Sequence, residues 1–140
     1  MKYLFFDIEC ADGGKATVCS FGYVIADMEF NIIKREDIVI NPEGRFNLTG
    51  REGRPDLQLA YPIATFKRAP NFKHFYNKIK ALVENEDYYV VGHSVYDDAT
   101  YLNKACVRYK LEPLSFQYFD TQRMYREVVG DRHSISLENA

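Results

Sequence analysis

Apolar and polar residues alternate along the first third of the chain and take helical spacing later. Residues 3–6, Tyr3-Leu4-Phe5-Phe6, are apolar on both alternating faces, as in a central strand covered on both sides. That strand is expected to run to Cys10. Residues 16–26 form a second alternating run, with Val18, Ser20, Gly22 and Val24 set against Cys19, Phe21, Tyr23 and Ile25. Residues 32–40 form a third. The turns at 11–15 and 27–31 are short, which predicts an antiparallel three-strand meander. Residues 41–69 are the least regular, punctuated by Gly44, Gly50, Gly53, Pro55 and Pro62 and studded with basic side chains. Such a stretch reads either as a solvated surface excursion or as a phosphate-contacting lid.

From residue 71 the period changes. Phe72, Phe75, Tyr76, Ile79 and Val83 make one apolar face of a helix over 71–84. A short buried strand over 87–92 follows, then a helix over 98–110 and a fifth strand over 115–119. Asp120 or Thr121 is placed to cap a further helix reaching about residue 129. Residues 130–133 read as a loop, and Ser136-Leu137-Glu138-Asn139-Ala140 as a helix N-terminus. A meander followed by strand–helix–strand order predicts an α/β fold: a mixed sheet flanked by helices, with the opening strand central. The strand near Val90 should lie parallel to it, through right-handed crossovers.

A length of 140 residues fits one domain with a proper core. A net charge of −2 excludes a globally basic polyanion binder, so contact with nucleic acid must come from local basic residues. Cys10, Cys19 and Cys106 lie far apart without CxxC spacing, against both a zinc site and a disulfide framework. The opening meets Asp7 too early for a signal-peptide core, and no transmembrane run or lipidation motif is present. The expected setting is reducing and cytoplasmic, with no membrane partner.

Two groups of acids carry the chemistry. Asp7 and Glu9 end the opening strand, and residues i and i+2 of a strand share a face, about 6–7 Å apart at their Cα atoms. Such a pair is either a metal site or decoration where the strand leaves the core. The second group lies at a strand-to-helix junction, Val91-Gly92-His93-Ser94-Val95-Tyr96-Asp97-Asp98. Asp98 falls on the helical face that carries Tyr101, Leu102, Ala105, Cys106 and Tyr109, which must pack on the sheet. Asp97 lies about 100° round the helix and can cap it or meet water. An inward acid needs a partner, and a metal shared with Asp7 and Glu9 would supply one. His93 is read chiefly as a strand-end imidazole bonding backbone, and Asp120 as a helix cap.

Asp7-Ile8-Glu9 resembles the first motif of the DnaQ-like exonucleases, the superfamily named for the acids Asp, Glu, Asp, Asp. Residues 91–102 resemble its second motif, Phe119-Asp120-Thr121 the Asp-Thr that follows, and Ser136-Leu137-Glu138-Asn139 the next helix start. Three positions depart from the pattern: Ser94 stands for the usual Asn, Asp97 for Phe and Cys10 for Thr. The third motif, a His or Tyr followed by the last Asp, is not among residues 1–140. The domain is therefore expected to lack its C-terminal part.

The resemblance implies a ribonuclease-H-like fold and a 3′-to-5′ exonuclease, similar to the polymerase III epsilon subunit, that releases nucleoside monophosphates from single-stranded DNA or RNA. It implies two Mg2+ or Mn2+ ions. Asp7 would bridge both, Glu9 would bind the nucleophile-side ion, and Asp98 would hold the second through water. Ile8, Cys10, His93 and Ser94 would line the substrate, and Arg45, Arg51, Arg54 and Arg68 would meet the nucleic-acid backbone. Partners would be a 3′ end and either a second copy or a polymerase-type subunit. Residues 1–140 alone are expected to be inactive or weakly active. Two alternatives stand beside this reading: a non-catalytic nucleic-acid-binding or docking domain on the same fold, and a ribonuclease-H-like endonuclease. His133 as a substitute base is disfavoured, because it precedes the helix that the third motif should follow.

Overall fold

In the computed structural model, residues 1–15, 17–50 and 52–129 are described. The long apolar opening becomes β1 (Lys2–Cys10), followed by β2 (Val18–Ala26) and β3 (Ile32–Val39). After an irregular segment come α1 (Ile63–Arg68), α2 (Phe72–Val83), β4 (Tyr88–Gly92), α3 (Val95–Arg108), β5 (Phe119–Asp120) and α4 (Thr121–Val129). The sheet order is β3-β2-β1-β4-β5, with β1 in the middle. Its antiparallel partner β2 pairs Asp7 with Gly22 and Ile8 with Phe21, and its parallel partner β4 pairs Leu4 with Val90. The meander, the central first strand and the parallel fourth strand are as the periodicities predict.

Strand alternation divides β1 between two environments. Leu4, Phe6 and Ile8 enter the main core, where Phe21, Ile25 and Val90 lie beside them. The apolar faces of the helices close this side of the sheet. α2 contributes Phe72, Tyr76, Ile79 and Val83, and α3 contributes Val95, Leu102, Ala105 and Cys106. Asn71 caps α2 by accepting the His74 amide at 3.1 Å. Tyr3, Phe5, Asp7 and Glu9 alternate to the other face. There Tyr3 stacks on Phe30 at 4.9 Å between ring centres and meets Tyr89 at 5.8 Å. A smaller cluster of Ala11, Cys19 and Phe66, with Val39, Phe46 and Leu59 against it, anchors the segment between β3 and α2.

Three elements differ from expectation. The fifth strand is confined to Phe119–Asp120. Side chains remote in sequence occupy the backbone groups of the segment expected to pair. Leu114 exchanges hydrogen bonds with the Asn103 side chain, and the Ser115 amide donates to Glu84. The third helix begins at Val95, one turn before Asp98, because Ser94 takes a left-handed conformation with φ 57° and turns the chain sharply out of β4. The proline- and glycine-rich segment contains α1, held by fully buried Phe66. The expected loop at 130–133, the helix start at Ser136, and Arg51 and His133 lie outside the described residues.

Leu102 is fully buried on the α3 face that also carries Asp98. Leu102→Ala should cost about 2–5 kcal/mol of unfolding free energy in a urea titration. Val107→Ala, at a side chain 73% exposed on the same helix, should change it by less than about 0.5 kcal/mol.

Candidate active site

The site forms where the pairing of β1 with β4 stops. Their register ends at Phe5 and Val91, while β1 continues through Asp7 and Glu9. Beyond that point the β4 side of β1 has no strand beside it in this register. Gly92 permits the close turn there: a Cβ at this position would stand 3.1 Å from the Val95 Cβ and 3.5 Å from the Phe6 carbonyl oxygen. The turn brings the first turn of α3, with Asp97 and Asp98, to the open flank.

Asp98 is buried, with 7% of its surface exposed, whereas Asp97 faces solvent. Burial, followed by the charge of Asp7, pushes the Asp98 carboxyl up to about 8. The Ile8 amide opposes the upward shift at both Asp98 and Asp7. Asp7 keeps solvent access, yet it too is shifted upward by desolvation. Glu9 is raised first by burial, then by the charges of Asp37 and Asp7, with the Ala60 amide and the Ser20 side chain acting the other way.

Two buried oxygens here, Glu9 Oε2 and Asp98 Oδ2, have no hydrogen-bond partner. Unpaired buried carboxylate oxygens are costly unless a cation or proton meets them. Among the described residues, no three His, Cys, Asp or Glu side chains converge closely enough to hold a metal ion. The donor set still fits a hard divalent cation. It offers oxygen ligands only, with unsatisfied atoms at both ends of the cluster, and repulsion between like charges favours the separation of the acids without an ion.

The other residues of interest are placed as follows. Ile8 turns its side chain into the main core, because it alternates with Asp7 and Glu9, and it offers the site only its amide. Cys10 follows an irregularity in the β1–β2 register, and burial and then the Asp98 charge push its thiol up to about 12. His93 Nδ1 lies 3.0 Å from Thr121 Oγ1. The Ser94 amide donates to Asp120 at 3.0 Å, and its hydroxyl donates to Gln122 at 2.8 Å. Asp120 also accepts the Gln122 amide at 2.9 Å, which makes it the cap of α4. Arg45, Arg54 and Arg68 are exposed, and Arg68 bonds the Ala64 carbonyl. Sequence reasoning missed Ser20, Asp37, Ala60 and Tyr61 around Glu9. The signal for Asp37 is the meander register, which sets it opposite Gly22 and so in line with Asp7.

The mixed five-strand sheet flanked by helices is the ribonuclease-H-like fold. No family model matches the chain, and no curated protein matches it in sequence. Solved structures do share the fold. One is E. coli exonuclease I in complex with a dA16 oligonucleotide, at TM-score 0.68 and 17% identity over 94% of this chain and 30% of that one. A zinc-bound E. coli complex of the same enzyme with single-stranded DNA matches at TM-score 0.69 and 17% identity, over 94% and 30%. Apo exonuclease I matches at TM-score 0.69 and 18% identity, over 94% and 31%. The chain thus spans about a third of the length of these proteins.

The raised Asp98 carboxyl fixes the sign of a pH effect. Its pKa rises from 3.8 to about 8 on folding, so the folded state binds the proton more tightly. Its contribution is fully present below about pH 4 and is lost as pH rises through about 8. In chelator, the melting temperature should therefore fall from pH 5 to pH 8. Asp98→Asn should flatten that fall and melt higher than the parent at pH 8. An unchanged slope in Asp98→Asn would place the titration elsewhere.

Proposed function

We propose that this chain is the acid-bearing part of a metal-dependent 3′-to-5′ exonuclease that releases nucleoside monophosphates from single-stranded DNA or RNA. The observation that carries the reading is Asp98: buried, lacking a partner on Oδ2, and pushed upward by the charge of Asp7 close by. A fold shared with exonuclease I complexes containing single-stranded oligonucleotides supports it.

Asp7, Glu9 and Asp98 would hold the ions, with Mg2+ or Mn2+ favoured by an all-oxygen donor set. Ions bound there would activate the attacking water and stabilise the leaving oxygen. The chain's own residues prepare the place. The Ile8 amide favours the charged form of Asp7 and Asp98, and the Ala60 amide and Ser20 side chain favour that of Glu9. His93 and Ser94, tied to Thr121, Asp120 and Gln122, fix the approach to α3. The Cys10 thiol, neutral at physiological pH, borders the acids without adding charge. Arg45, Arg51, Arg54 and Arg68 would counter the phosphates of the strand. The third motif, with its acid and base, would complete the centre from outside residues 1–140. Among the described residues no helix is long and apolar enough to cross a membrane, and a cytoplasmic setting is part of the proposal. Neither a second copy nor a polymerase-type subunit is proposed as a partner.

A second reading, a non-catalytic nucleic-acid-binding module, is favoured by the lack of a converged metal group among the described residues. A 5′-labelled single strand separates the two. With Mn2+, the protein carrying its third motif should shorten the strand from the 3′ end, and chelator should stop it. Residues 1–140 alone should be slower by about 10²–10⁴, the usual cost of a missing general base. Asp7→Ala should abolish cleavage by the longer protein, whereas Asp97→Ala should leave it nearly intact. Binding without cleavage by the longer protein would favour the second reading.

A further inference from the structure

The chain turns from β4 into α3 at Ser94, which carries φ 57° and ψ 40°. Residues with a side chain rarely take this left-handed conformation. It persists where the surroundings over-determine it. Ser94 is also the N-cap of α3, yet its hydroxyl makes no capping bond to that helix. Both polar groups of the residue are directed to another part of the chain.

Residues 120–122, at the junction of β5 and α4, bind residues 92–94 side by side. The Ser94 amide donates to Asp120 Oδ1 at 3.0 Å, and the Ser94 hydroxyl donates to Gln122 Oε1 at 2.8 Å. Between these two bonds, the Thr121 hydroxyl donates to the Gly92 carbonyl at 3.3 Å and lies 3.0 Å from His93 Nδ1. Gln122 is buried, and its Oε1 also accepts from Arg126 at 3.0 Å. Asp120 Oδ1 receives a second amide, that of Gln122, at 2.9 Å. One carboxylate oxygen therefore caps α4 and pins the elbow that starts α3.

Asp98 follows four residues after the elbow, on the first turn of α3. A rigid helix carries any rotation at Ser94 into the place of that carboxylate. Asp98 is buried with Oδ2 unpartnered, so no hydrogen bond on that oxygen resists such a displacement. We propose that Asp120, acting through the Ser94 amide, sets where Asp98 stands and is a positioning residue for this metal-binding carboxylate. The inference deepens the nuclease reading and rests on it only in taking Asp98 as a ligand. A helix cap without this role would support α4 and leave ion affinity alone.

The test is calorimetric titration of the 140-residue chain with MnCl2, with thermal melts alongside. Asp120→Asn removes the charge but keeps an Oδ1 acceptor for both amides, and it should bind Mn2+ within about threefold of the parent. Asp120→Ala removes the acceptor as well and should weaken binding about tenfold, the lower end of the loss when support for a metal ligand is removed. Asp120→Ser keeps a good helix cap, but its oxygen lies one bond closer to the backbone and does not span the gap to Ser94. It should lose affinity like Asp120→Ala while melting near the parent, and it serves if Asp120→Ala fails to fold. An equal loss in Asp120→Asn and Asp120→Ala overturns the proposal in favour of a charge effect. Parent affinity in Asp120→Ser overturns it too, and leaves Asp120 as a helix cap. A parent chain that binds no Mn2+ at millimolar concentration overturns the metal reading and the positioning role together, an outcome distinct from the others.

Discussion

Like charge gathered on one open strand flank is the constraint on which the site depends. The parallel pairing of β4 with β1 ends at Phe5, and the chain leaves through Gly92 and Ser94 into α3. That exit brings buried Asp98 near Asp7, whose charge raises it further. Water would screen such charges and a cation would neutralise them, whereas burial shifts the carboxyls toward the protonated form. Burial, upward-shifted carboxyls and unpartnered oxygens at Glu9 and Asp98 follow from this one arrangement.

Much of this was legible in the residues. Alternation in β1 sends Asp7 and Glu9 to one face and Phe6 and Ile8 to the other. Helical spacing selects Asp98 over Asp97, because Leu102, Ala105 and Cys106 must face the sheet. The same alternation sends the Ile8 side chain into the core, against the expectation that it would line the substrate. Long-range satisfaction of backbone groups was not legible. Asn103 and Glu84 take the amides of Leu114 and Ser115, and a segment with strand-like composition leaves the sheet. α1 was hidden because Phe66 holds it through contacts with Ala11 and Cys19, far away in sequence. Asp37 and Tyr61 require the registers of two strand pairs and the packing of an irregular segment at once, which no local pattern encodes.

The fold and the acids support each other without being the same finding. At 17–18% identity, the likeness to exonuclease I establishes the architecture. The carboxylates give that architecture a reason to be read as a nuclease here, since many functions share a fold and chemistry resides in the site. Asp97 and Asp120 raise the negative potential at Asp98 further. Their presence should strengthen attraction for a divalent ion and increase repulsion of an unscreened phosphate, so metal binding should precede substrate binding.

The central claim is that these acids are arranged to receive a divalent cation. Anomalous diffraction from crystals of the chain soaked in MnCl2 tests it most directly. The account predicts a manganese peak at the open flank of β1, with carboxylate oxygens of Asp7 and at least one of Glu9 and Asp98 at about 2.1 Å, the distance of a small hard cation. A peak elsewhere with this flank empty at saturating manganese would contradict it.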